Sequence, residues 1–95
     1  MLHIVNKSPT QSPALGSCLR LAQPGATLLL VEDGIYAATT GAGMAEAFKP
    51  FKVCVLQPDA QARGMATRLI EGVHSIGYEG FVDLVVEHTN NQSWL

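Results

Sequence analysis

The run Ala26-Thr27-Leu28-Leu29-Leu30-Val31 constrains this chain more than any other segment. A strand with one face in water alternates apolar and polar residues, whereas a strand buried on both faces is apolar throughout. Phe51 to Leu56 repeats the pattern, and Met1 to Asn6 is a shorter apolar run ended by Lys7-Ser8-Pro9. Strands of this kind belong to a parallel sheet covered by helices on both faces.

The segments between these runs carry helical signals. Ser12-Pro13 is a helix start, with Ser as N-cap and Pro at the first helical position. Leu15, Cys18, Leu19 and Ala22 follow at helical spacing, and Pro24-Gly25 ends the helix. A short helix through Tyr36, Ala37 and Ala38 is expected, then a helical turn over residues 45–48. Pro58 to Met65 reads as a loop with room for one helical turn. Val73 to Ile76 supplies a short fourth strand. Tyr78, Phe81, Val82 and Val85 form one helical stripe, and Asn90-Asn91 breaks that helix. The expectation is an α/β fold over residues 1–95: one domain with a small, open, mainly parallel four-stranded sheet and helices on both faces. In such sheets ligands and partners meet at the carboxyl ends of the strands. Here those ends carry Lys7-Ser8, Glu32-Asp33-Gly34 and Gln57-Pro58-Asp59.

Size and composition point to association. A domain of 95 residues buries only about 60–65% of its unfolded surface. Small chains compensate with disulfides, metals or partners. Two cysteines at positions 18 and 54 make no disulfide framework, and no Cys/His group has zinc spacing. Charged residues make up 15% of the chain, against about 25% in an ordinary soluble domain. Part of the surface is therefore expected to be covered by protein. No Lys/Arg cluster marks a nucleic-acid face. No run is long enough to span a bilayer, and the start lacks a signal-peptide pattern, so the expectation is a cytoplasmic chain with reduced thiols.

Few residues could carry chemistry. Cys18 sits in the second turn of the first helix, at the edge of its apolar stripe, with half-burial expected. A thiolate there could attack a persulfide sulfur, but a packing thiol is the simpler reading, since free cysteine is among the most buried residue types. Cys54 lies mid-strand between valines and reads as inert packing. His3, His74 and His88 share no metal-like spacing. Gly41-Ala42-Gly43 lacks the third glycine of a dinucleotide loop and follows no strand. Asp59 and Arg63 could pair at i,i+4, or Arg63 could hold a partner carboxylate. Trp94 either docks on its own domain or anchors a partner, and Leu95 goes with it. No cofactor or metal is expected.

Taken in order, several segments resemble the TusB/DsrH family: residues 2–9, residues 28–38, Val55-Leu56-Gln57-Pro58-Asp59 with Ala62-Arg63-Gly64, and Tyr78, Phe81-Val82-Asp83-Leu84 with the terminal Trp94-Leu95. The resemblance covers nearly the whole chain. It implies a DsrE-like fold and a subunit of a heterohexameric sulfur-relay complex, a persulfide sulfurtransferase assembly rather than an enzyme complete in one chain. Its implied partners are two homologous small α/β subunits (DsrE/TusD-like and DsrF/TusC-like) and a sulfur-carrier protein (DsrC/TusE-like), with no direct contact to nucleic acid or membrane. One branch of the family serves 2-thiolation of the tRNA wobble uridine, the other sulfur oxidation. The principal sulfur-carrying cysteine belongs to a sister subunit. The DsrH branch has a cysteine in the first helix, which Cys18 matches. With Tyr36, it leans the chain toward that branch and makes Cys18 a candidate persulfide carrier. The alternatives are a non-catalytic scaffold subunit or a small homo-oligomeric binding module.

Overall fold

The structure, a computed structural model, describes residues 1–94. Its centre is the apolar run from Ala26 to Val31. Strand β2 (Thr27–Leu30) is buried at every position. On one side it pairs in parallel with β1 (Leu2–Val5), and on the other with β3 (Lys52–Leu56). β4 (His74–Ile76) extends the sheet beyond β3. Alternate residues of β2 point to opposite layers. Leu28 and Leu30 pack with Val5, Val53 and Val55 in one cluster, while Leu29 packs with Leu2, Cys54 and Leu56 in the other. Removing each such leucine from water contributes about 1.5–3 kcal/mol.

The expected four strands are five. β5 (Asn91–Trp94) pairs in parallel with β1, matching Val5 to Trp94, and the sheet order is β4-β3-β2-β1-β5. Its sequence, Asn-Gln-Ser-Trp, lacks the apolar signature because its first three residues are exposed at the sheet edge. What holds it is the ladder to β1 and the terminal indole, neither of which the sequence pattern announces.

The connections explain the layers. From β1 to β4 the chain steps one way across the sheet, through α1 (Ala14–Leu21), a 3₁₀ segment (Glu32–Ala38), α2 (Ala45–Phe48) and α3 (Gln57–Ala62). All of these contribute to the first cluster. The last connection runs back across the whole sheet, and a right-handed crossover in that direction must lie on the opposite face. α4 (Tyr78–Glu87) is that crossover, and Phe81 and Leu84 press onto the second cluster. Gly80 permits the approach, because a Cβ there would lie 2.9 Å from the Ile76 Cβ. Three crossovers therefore cover one face, and a single helix covers the other.

Three local expectations change. Helix α1 begins at Ala14 rather than at Pro13, and the Ser12 hydroxyl accepts from the Ala14 amide at 3.1 Å. Where a loop with one helical turn was expected over Pro58 to Met65, the chain forms helix α3 from Gln57 to Ala62, with Pro58 in its first turn, where the missing N–H costs nothing. The Tyr78, Phe81, Val82, Val85 stripe does not pack as a unit. Phe81 faces the sheet, while Tyr78, Val82 and Val85 face outward.

Candidate functional site

The carboxyl ends of β1, β2 and β3 converge on one polar cluster. Immediately after β2, Glu32 takes a left-handed conformation (φ 48°), which costs a non-glycine residue about 1–2 kcal/mol. Its amide donates to the Asp59 carboxylate at 2.7 Å, so the start of α3 holds this turn. Gly34 lies against β1. A Cβ there would sit 2.4 Å from the Val5 carbonyl oxygen, so no other residue fits without backbone movement.

Asp33 is the hub. Arg63 Nε donates to its Oδ1 at 3.0 Å, and Gln11 Nε2 donates to its Oδ2 at 3.1 Å. These two bonds, with the Arg63 charge and more distantly Lys7, hold the Asp33 carboxyl below the usual carboxylate range. The sequence suggested an Asp59–Arg63 pair at i,i+4. The guanidinium instead pairs with Asp33 and reaches only the main-chain oxygen of Asp59, at 3.4 Å. Asp59 spends its carboxylate on the Glu32 amide. Gln11 carried no signal in the sequence, and Asp33 was legible only as part of a strand end; the two lie 22 residues apart, and no local pattern links them. Ser8, Thr10, Gln11, Asp33 and Tyr36 line an open depression beside this cluster.

Both thiols are internal. Cys18 is 0% exposed rather than half-buried, because it packs inside the first cluster with Val5, Leu15 and Ile35. Burial pushes its pKa up to about 11. At pH 7 that leaves roughly one thiol in ten thousand ionised. Cys54 is buried on the opposite face, beside His74 in the register, and its pKa is also raised by burial, partly offset by Lys52.

Trp94 docks on its own domain. Its Nε1 donates to His3 Nδ1 at 3.1 Å, with ring centroids 6.1 Å apart, and it packs against the first cluster. An indole nitrogen can only donate, so His3 Nδ1 must carry a lone pair. Burial of His3, helped by the nearby N-terminal charge, lowers its pKa and keeps that lone pair free. Leu95, expected to act with it, lies outside the described residues. His88 Nδ1 lies 2.7 Å from the Leu84 carbonyl, capping α4, and His74 is exposed on β4. The glycines 41 and 43 lie in a 3₁₀ turn and its left-handed exit rather than behind a strand. Among the described residues, no three His, Cys, Asp or Glu side chains gather as a metal site, and no helix is long and apolar enough to cross a membrane.

A parallel five-stranded sheet with three crossovers on one face and one on the other defines the class, a small open α/β protein. Two solved structures share it: the ychN protein from E. coli (TM-score 0.81, 21% identity, 97% of each chain covered) and MTH1491 from Methanobacterium thermoautotrophicum, a protein of unknown function (TM-score 0.72, 17% identity, 97% of this chain and 95% of that one). The family model for DsrH-like proteins matches residues 7–91. Proteins named TusB from Escherichia coli O81 (strain ED1a) and Serratia proteamaculans (strain 568) are 38% and 36% identical, over 99% of this chain and all of theirs. The chain belongs to the TusB/DsrH family.

Proposed function

We propose that this chain is a cytoplasmic subunit of a sulfur-relay complex and that it contributes a folded surface rather than a sulfur-carrying thiol. Family membership along almost the whole chain carries the first half of this reading. The complex is a heterohexamer with two homologous sister subunits, DsrE/TusD-like and DsrF/TusC-like, and it passes persulfide sulfur to a small DsrC/TusE-like carrier.

The burial of both thiols supports the second half. A sulfur carrier must present a thiolate to a donor and then a persulfide to an acceptor. Cys18 offers neither exposure nor a low pKa. The test is persulfide transfer to the carrier by the reconstituted complex, with wild-type chain and with Cys18→Ser. Transfer unchanged within about twofold is expected wherever the complex assembles, although the buried hydroxyl lowers the stability of the fold by about 1–3 kcal/mol. Loss of transfer with assembly intact would instead make Cys18 the persulfide carrier.

The relatives named TusB favour the tRNA branch, and the buried state of Cys18 weakens one of the two residues, Cys18 and Tyr36, that leaned toward sulfur oxidation. Deleting the gene should therefore deplete 2-thiouridine in tRNA. Intact 2-thiouridine with impaired oxidation of reduced sulfur would assign the chain to the other branch.

A further inference from the structure

Helix α4 stands alone on its face of the sheet. Five strands span about 19 Å, and one helix about 10 Å thick lies across them. Its outer side is apolar: Tyr78, Val82 and Val86 recur every fourth residue and are 63%, 60% and 76% exposed. A contiguous apolar ridge with a polar border marks an interaction surface.

A second ridge identifies what covers the first. Glu79, Asp83 and Glu87 run beside it at the same spacing. Like charges at i,i+4 destabilise a helix. Glu87 also sits in the last turn, at the negative end of the helix dipole, where no basic residue accompanies it. Lys52 and His74 line the groove beneath Asp83 and Glu87. The two ion pairs among the described residues, Lys49–Glu46 and Arg63–Asp33, lie elsewhere. The helix thus presents an apolar seam and an anionic border whose carboxylates form no ion pair among the described residues, although Lys52 shares the groove with Asp83 and Glu87. A second copy packed two-fold and antiparallel would set carboxylates against carboxylates, and an anionic membrane surface would repel them.

We infer that the outer face of α4 is the surface by which this chain docks onto a sister subunit, which supplies an apolar seam bordered by Lys or Arg. The inference rests on the relay-complex reading above and adds the surface and the chemistry of its partner.

The test is co-expression of the full chain with its two sister subunits, followed by measurement of assembly and affinity. Two double variants probe the ridges, Val82→Lys with Val86→Lys, and Glu79→Lys with Asp83→Lys. Leu21→Lys, exposed at the end of α1, is the control. The apolar-ridge variant should bind about tenfold or more weakly, the loss expected when a central apolar contact is replaced by charge. The charge-reversed variant should lose affinity and also lose the salt dependence that the wild-type complex shows. The control should match wild type. All these positions are exposed, so melting temperatures of the isolated variants should stay near that of wild type. Should a variant melt early, the salt dependence of the wild-type affinity decides instead, and its absence overturns the inference. Equal affinity for both ridge variants overturns the docking surface and leaves the relay reading intact. A wild-type chain that fails to join the sister subunits overturns both. A homodimer dissolved by Val82→Lys with Val86→Lys, while sister binding persists, assigns the face to a second copy.

Discussion

At the scale of single residues, the His3–Trp94 pair makes the most direct claim. His3 titrates below its ordinary value of 6.5 in the folded chain, so the unfolded chain binds the proton more readily. Its contribution is therefore complete above that value and is lost as pH falls through it. Asp33 acts in the same direction but only at lower pH, below its ordinary value of 3.8, since its folded pKa is also depressed. The urea midpoint should fall between pH 7.5 and pH 5.5 through His3 alone of these two, and His3→Phe should flatten that fall. Trp94 is the chain's single tryptophan, so its fluorescence reports the same event. Emission should change with the His3 titration and stay constant in His3→Phe. Gly34 makes a second claim at this scale. Gly34→Ala must displace the Val5 carbonyl, and a loss of about 3 kcal/mol or more is expected by chemical denaturation, the range of buried steric clashes. Cys18→Ala removes one buried sulfur and should cost about 1 kcal/mol, close to one buried methylene.

At the scale of elements, legibility followed burial. β2 could be read because both its faces are covered, which leaves only apolar residues acceptable there. Leu29→Ala should accordingly cost about 2–5 kcal/mol in a denaturant titration. β5 could not be read, because three of its four residues face solvent and its hold on β1 is made of backbone bonds that any sequence can form. α4 was readable as a helix but not in orientation. Phe81 and Leu84 differ from Tyr78, Val82 and Val86 only in which way they point, and apolar character alone cannot separate them. The candidate cluster was half legible. Asp59 and Arg63 were visible as a motif after β3, but their partners, the Glu32 amide and Asp33, are brought in by the parallel return of β3 beside β2.

At the scale of the whole molecule, the low charge content has a structural counterpart. One face of the sheet carries three crossover connections, while the other carries a single helix whose outer side is apolar. A chain built this way gains stability from whatever binds its folded form. Addition of the two sister subunits in excess should raise its unfolding midpoint, by an amount that grows with their concentration. A midpoint independent of their concentration would mean that the isolated fold is already complete.

The placement of β5 also orders events in time. His3 and Trp94 meet across 91 residues of sequence, the kind of distant contact that forms late in folding. While the chain leaves the ribosome, residues up to Ile76 can already assemble β1 to β4, but the outer edge of β1 stands bare until residues 91–94 emerge. An open parallel edge is a template for any passing strand, including the β1 of a neighbouring nascent chain. Ribosomal stalling or premature termination shortly before Asn91 should therefore yield aggregates rather than a slightly shortened protein.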